Sequence, residues 1–137
     1  MKGSIENKTK HALVTGGSRG IGKAVCIQLA KDTDYHILIN YNSNKAEALN
    51  TLEEVKSVGG TGEILQFNVV NIDQVKEVLD AWHDKNKDAV IEVLVNNAGI
   101  TKDGLFMWMP QNDWQDVINT SLNGFFNVTN HLIQKLL

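Results

Sequence analysis

Short apolar runs alternate with longer stretches of helical spacing from His11 onward. "HALVT" (11–15) is β-rich and leads into the glycine-rich stretch "GGSRGIG" (16–22). "IGKAVCIQLA" then puts Ile21, Ala24, Val25 and Leu29 on one predicted helical face. A second strand is expected at "YHILIN" (35–40). Asn44, followed by Glu47, reads as a helix start, and Ala46, Leu49, Leu52 and Val55 continue the apolar face. Gly59-Gly60 marks the end of that helix. "EILQFNVV" (63–70) is strand-like, and Asn71 or Asp73 opens a third helix bearing Ile72, Val75, Val78, Leu79 and Trp82 at helical spacing. "VIEVLVN" (90–96) reads as a fourth strand, too apolar to keep a solvated face. From Asp113 a long helix carries Trp114, Val117, Ile118, Leu122, Phe125, Leu132, Ile133 and Leu136.

Near-continuous apolar strands alternating with amphipathic helices imply an α/β fold with a parallel sheet covered on both faces. The order β-α-β-α-β-α-β-α fits a doubly wound sheet, although a complete one has about six strands. The expectation is therefore the first four β-α units of an incomplete domain. Residues 1–10 would be an N-terminal extension and 11–137 a single domain ending before a fifth strand. A chain of 137 residues suits one domain with a real core.

Composition narrows the classes. At 42% hydrophobic and 21% charged, the chain reads as globular rather than disordered. A net charge of −3 without a basic block argues against a nucleic-acid partner. "MKGSIENKTK" has no apolar signal core and no 18-residue apolar run follows, so neither export nor a membrane span is expected. The single cysteine, Cys26, rules out an internal disulfide framework and a Cys-ligated zinc site, and a reduced, cytoplasmic setting fits it. Asn-x-Ser/Thr matches at Asn7, Asn119 and Asn127 are then chance. His11, His36, His83 and His131 lack metal-ligand spacing, so no metal site is expected from them. "HDKNKD" (83–88) reads as a solvated helix end. "LFMWMP" (105–110) would either roof a cleft or fill a loop core.

The glycine stretch carries the first chemistry. Gly16, Gly20 and Gly22 stand directly between the first strand and first helix. An early glycine permits a tight turn, and a pyrophosphate reaches backbone N–H groups only where no Cβ obstructs it. A late glycine lets the helix pack closely on the sheet. The helix N-terminus then sets its partial positive charge beside the phosphates. A tight β-α turn without a ligand is the plain alternative. A Walker-type phosphate loop does not fit, because no Lys-Ser/Thr pair follows the last glycine.

The exit of the second strand bears on which dinucleotide. NAD-selecting folds place an acid about 20 residues after the glycines, where it binds the ribose 2′-hydroxyl. Here the region reads "INYNSNK", with no acid from Tyr35 to Ala46. Arg19 sits in the glycine stretch and Lys45 lies nearby, so a 2′-phosphate would meet donors and cations. NADP(H) is the expected cofactor, with an ordinary polar turn as the alternative.

"TGGSRGIG" together with "VLVNNAGI" (93–100) resembles the short-chain dehydrogenase/reductase family, whose fold is Rossmann-like. The resemblance runs from His11 to the end of the chain. It implies cofactor contacts from Gly16, Gly17, Ser18, Arg19, Gly20, Ile21 and Gly22. It further implies Asn42 near the 2′-phosphate, Asn68 and Val69 at the adenine, and Asn97, Ala98 and Gly99 beside the ribose. "ALVTGGSRGIG", "FNVVN" and "LVNNAGITKDGLFMWM" are similar to the 3-oxoacyl-[acyl-carrier-protein] reductases of fatty-acid synthesis. That likeness implies NADPH-dependent reduction of an acyl-carrier-protein-linked ketone. It also implies a homo-oligomer, a tetramer in the family, formed through the helix near Asp113. Reductases of other ketones, sugars or steroids, or a non-catalytic dinucleotide-binding module, are the alternatives.

No catalytic residue is expected within the chain, because the family's serine, tyrosine and lysine fall after strand five. One Tyr-x-x-x-Lys match occurs, Tyr41 to Lys45. It precedes the expected helix start, so the two side chains would not share a helical face. In "VINTSLNGFF" the family's relay asparagine falls on Ser121, while Asn119 and Asn123 should face elsewhere. The Ser121 hydroxyl would either stand in for that amide or bond the Val117 carbonyl one turn back.

Overall fold

A computed structural model describes residues 9–100, 102 and 104–136. Four strands, β1 (Thr9–Val14), β2 (His36–Tyr41), β3 (Thr61–Gln66) and β4 (Ala89–Val95), form one parallel sheet in the order β3-β2-β1-β4. Among the described residues five α-helices accompany it: α1 (Gly20–Asp32), α2 (Lys45–Ser57), α3 (Ile72–Lys85), α4 (Gln111–Ile118) and α5 (Gly124–Leu136). A π-helical turn at Asn119–Asn123 joins α4 to α5, and a short 3-10 turn spans Phe106–Trp108.

Side chains alternate across a strand, so a sheet buried on both faces needs apolar residues at consecutive positions. β1 and β2 meet that demand. Ala12, Val14, Ile37 and Ile39 pack with Cys26 and Ala30 of α1 and Val55 of α2. Leu13 and Leu38 point the other way, into Phe67, Val75, Leu79, Trp82, Val128 and Leu132. The doubly wound reading is thereby met, with α1 and α2 on one face and α3 and α5 on the other.

Local signals explain where elements begin and end. The Asn44 side chain accepts from Glu47 N–H at 3.1 Å, and that of Asn71 accepts from Gln74 N–H at 3.1 Å. Both are N-caps, which satisfy donors that the first helical turn leaves free. Gly59, at φ 89°, closes α2. In β4 the pairing to β1 steps from His11↔Ile91 to Ala12↔Val93, leaving Glu92 as the extra residue of a bulge. That accounts for an acid in an otherwise apolar strand: Glu92 is exposed and accepts from the Tyr35 hydroxyl at 3.0 Å.

Several expectations shift. Helix α1 buries Gly22, Cys26 and Ala30 rather than Ile21 and Ala24, and Ile21 is 75% exposed. Small residues bring this helix close to the sheet, while Val25 and Leu29 pack along the margin. In α2 the buried positions are Ala48, Thr51 and Val55, whereas Ala46 and Leu49 face out. The first strand starts at Thr9, inside the expected extension, and residues 1–8, with Asn7, lie outside the described residues. β3 ends at Gln66, yet Phe67 and Val69 remain buried beyond it. The long helix starts at Gln111, directly after Pro110, not at Asp113. Leu105, Phe106, Met107 and Trp108 are exposed, so they do not fill a loop core.

Candidate functional site

The strand exits open onto a cleft of about 700 Å³. Of the residues singled out in the sequence, Gly16, Ser18, Arg19, Gly20, Asn42, Asn68, Val69, Asn97, Ala98 and Gly99 line it. They arrive from four segments: the β1–α1 loop, and the exits of β2, β3 and β4. The cleft lies where the sheet order turns, with β2 on one side of β1 and β4 on the other. Open α/β sheets place ligands at such a point.

Gly16 has φ 63°, and a Cβ there would stand 2.9 Å from Ala98 Cα. Both the conformation and the space exclude any other residue. Gly17, Ile21 and Gly22 do not line the cleft. Gly17 is buried, its N–H donating to the Asn40 carbonyl at 2.9 Å, with Cys26 Sγ behind it. A Cβ on Gly22 would collide with the Gly16 carbonyl oxygen and stand 2.5 Å from Asn97 Nδ2. Gly22 therefore sets how closely α1 approaches the loop. Burial pushes the Cys26 thiol up to about 12, which makes it a packing group rather than a nucleophile.

Two polar side chains that the sequence reading passed over build the frame of this loop. Thr15, almost wholly buried, accepts from Asn97 N–H and Ala98 N–H at 3.0 Å each and donates to the Val95 carbonyl at 3.4 Å. Asn40 accepts from Gly16 N–H at 3.1 Å and donates to the Phe67 and Leu65 carbonyls at 3.0 and 3.3 Å. Asn97 completes the frame by donating to the Gly16 carbonyl at 3.1 Å. The signal was a threonine just past one apolar strand and an asparagine next to the end of another, where an apolar residue would cost no hydrogen bonds. Further out, Asn127 donates to the Val69 carbonyl at 2.9 Å and ties α5 to the exit of β3.

Electrostatics single out one helix. Unlike α2 and α3, α1 has no side-chain cap, and no acid stands in its first turn. Its N-cap position is Arg19, exposed and free of ion pairs among the described residues. Unused N–H groups, the positive end of the helix dipole and a guanidinium thus share one end of the cleft. That combination attracts an anion such as a pyrophosphate. Glu47, one residue past the acid-free stretch, also lines the cleft, as does Asp116 of α4.

Tyr41 ends β2 and is buried, whereas Lys45 begins α2 and is exposed, so they share no helical face. Ser121 sits exposed in the π turn, its Oγ 3.9 Å from where a Cβ on Gly99 would lie. It does not bond the Val117 carbonyl; Thr120 instead donates to the Asp116 carbonyl at 2.9 Å. Asn123 donates to Asn119 Oδ1 at 2.8 Å, and Asn119 lines the cleft, so it faces the site rather than away from it.

The short chain dehydrogenase family profile matches residues 10–137. This chain is a member of that family. The 3-oxoacyl-[acyl-carrier-protein] reductase FabG of Staphylococcus epidermidis is 42% identical over 128 residues, which are 93% of this chain and 51% of the relative. The Staphylococcus aureus FabG is 44% identical over 119 residues, 87% of this chain and 47% of the relative. An acetoacetyl-CoA reductase of Cupriavidus necator is 38% identical over 122 residues, 89% of this chain and 48% of the relative. The chain spans about half the length of the curated relatives it matches. Among solved structures, a proposed gluconate dehydrogenase from Agrobacterium tumefaciens superposes with a TM-score of 0.83 at 32% identity. The match covers 94% of this chain and 49% of that one. Family and relatives are oxidoreductases, and the fold is Rossmann-like. Among the described residues no helix is long and apolar enough to cross a membrane.

Proposed function

We propose that this chain is the cofactor-binding part of an NADPH-dependent 3-oxoacyl-[acyl-carrier-protein] reductase of fatty-acid synthesis, acting in the cytoplasm as a homo-oligomer. The observation that carries the cofactor reading is the uncapped, acid-free N-terminus of α1 behind Gly16 and Gly20, open to the cleft. In this reading the pyrophosphate lies on Gly16–Gly22, with Ser18 and Arg19 beside it. Arg19 and Asn42 take the 2′-phosphate, Asn68 and Val69 the adenine, and Asn97, Ala98 and Gly99 the ribose. The bound group would supply the hydride; the residues of this chain hold and orient it.

The substrate reading rests on the staphylococcal relatives, and the acetoacetyl-CoA reductase makes a thioester on another carrier the near alternative. The chain by itself is expected to bind the cofactor and reduce nothing, since among the described residues no lysine lines the cleft to complete a serine–tyrosine–lysine set.

Calorimetric titration with NADPH and with NADH tests the cofactor claim. NADPH should bind more tightly, and Arg19→Glu should weaken it by about tenfold or more, the loss of one charge-assisted contact. Equal affinity for both, or tighter NADH binding through Glu47 on the ribose hydroxyl, would overturn the NADPH assignment. Carbonyl reduction by the purified 137-residue chain would overturn the expected inactivity.

A further inference from the structure

At the end of the sheet opposite the cleft, three strands bring together side chains that lie far apart in sequence. His11 and His36 are register partners across β1 and β2, and His36 is in turn the partner of Thr61 on β3. Glu63, two residues beyond Thr61, points to the same face of the sheet. One ligand atom from each of His11, His36 and Glu63 lies within 4.8 Å of the others. From these positions we infer that the three side chains form a binding site for a divalent cation of the zinc type.

The hydrogen bonds arrange the imidazoles for this task. His11 Nδ1 lies 3.0 Å from the Thr9 carbonyl, which can only accept, so Nδ1 carries the proton. Its Nε2 therefore presents a lone pair and has no hydrogen-bond partner among the described residues. A ring N–H held by a backbone carbonyl is the usual support for a metal-bound histidine. His36 Nδ1 lies 2.8 Å from Thr61 Oγ1, and its Nε2 lies 3.2 Å from Glu63 Oε2. A hydroxyl either donates or accepts, so Thr61 serves either tautomer of His36 and lets Nε2 turn its lone pair to a cation.

Position and charge agree. The site is walled by Trp82, whose ring packs edge-on against His11 at 4.9 Å. His11 is buried, while His36 and Glu63 are half-exposed and leave a path from solvent. Among the described residues Glu63 has no lysine or arginine partner to compete with a cation; its one ion-pair partner is His36. Two imidazoles and a carboxylate match the donor preference of zinc and leave a fourth position open. Tetrahedral zinc holds its ligand atoms about 3.3 Å apart, so the widest pair needs to close by about 1.5 Å. Bound there, the ion clips the starts of β1, β2 and β3 to one another.

The test is a titration of the full-length protein with Zn²⁺, and with Co²⁺ as a coloured stand-in, followed by calorimetry, visible absorption and melting. The expected result is one equivalent bound, visible Co²⁺ bands and a raised Tm. Glu63→Gln and His36→Gln, both at half-exposed positions, should each weaken binding by more than about tenfold. His83→Gln, beside Trp82 but outside the set, should leave it unchanged. NADPH affinity should be unaltered in all three variants, which separates this site from the cleft. No stoichiometric binding, or binding that survives both Glu63→Gln and His36→Gln, overturns the inference.

Discussion

The two ends of this chain spend their apolar residues in opposite ways. From β1 to α3 most point inward, Leu13, Leu38, Val55, Val75 and Leu79 being fully buried, with Ile21 and Leu49 the main exceptions. Along α4 and α5 the stripe is split. Val128 and Leu132 join the core, while Trp114, Leu122, Phe125, Phe126 and Ile133 stand between 48% and 61% exposed. The first region owes part of its cover to the second, since Val128 and Leu132 close over Leu13 and Leu38. The second leaves these large apolar side chains open to water, and clustered exposed apolar groups are the kind of surface that another molecule covers. A helix can therefore be amphipathic for a partner as well as for its own core.

Substitutions break this contrast in graded steps. The largest effect is expected from Leu38→Ala, which opens a void in the middle of the sheet. It should cost about 3 kcal/mol in urea unfolding. Asn40→Ala comes next, at about 2 kcal/mol, because it strands the Gly16 N–H and two carbonyls of the β3 exit. NADPH affinity should fall with it, which calorimetry reads directly.

A smaller effect concerns the joint between the two regions, where Asp80 of α3 meets His131 and Lys135 of α5 at 2.8 and 3.2 Å. Partial burial pushes the Asp80 carboxyl up, but hydrogen bonds and charge from His131 and Lys135 outweigh it and hold the pKa below its usual value. The stabilisation is thus complete above the ordinary aspartate range and is lost as pH falls through the lowered value. Asp80→Asn should flatten that acid limb in a series of melts. Water screens this half-exposed pair, so the change stays under about 1 kcal/mol. Leu122→Ser with Phe126→Ser should alter the stability of a dilute sample least, by under about 0.5 kcal/mol. Yet the pair should shift sedimentation toward the monomer. A chain that sediments as a monomer before substitution would sink the claim that this face is covered.

Much of the architecture was legible because it rests on local rules. Asn44, Asn71 and Gly59 announce helix boundaries, and the apolar strands announce a sheet buried on both faces. The inward faces of α1 and α2 were misjudged for a physical reason. Pattern reading favours bulky residues such as Ile21 and Leu49, whereas close packing on a sheet selects Gly22, Cys26, Ala30 and Ala48. Within the site, the glycines and the "NNAG" stretch were legible as motifs. Thr15 and Asn40 were not, because their value lies in bonds to segments 24 to 83 residues away. His11, His36 and Glu63 were hidden likewise: strand register, not spacing along the chain, brings them together.

The π turn at Asn119–Asn123 has a consequence for phase. One residue advances an α-helix by about 100°, and a widened turn absorbs roughly one residue without breaking the rod. At 100° per residue Val128 and Leu132 would lie about 80° and 120° round the helix from Thr120. The widened turn draws them back toward its side, so the face that meets the cleft through Asn119 and Thr120 also meets the core through Val128 and Leu132. One continuous rod thereby lines the ligand cleft near its start and closes the fold further along.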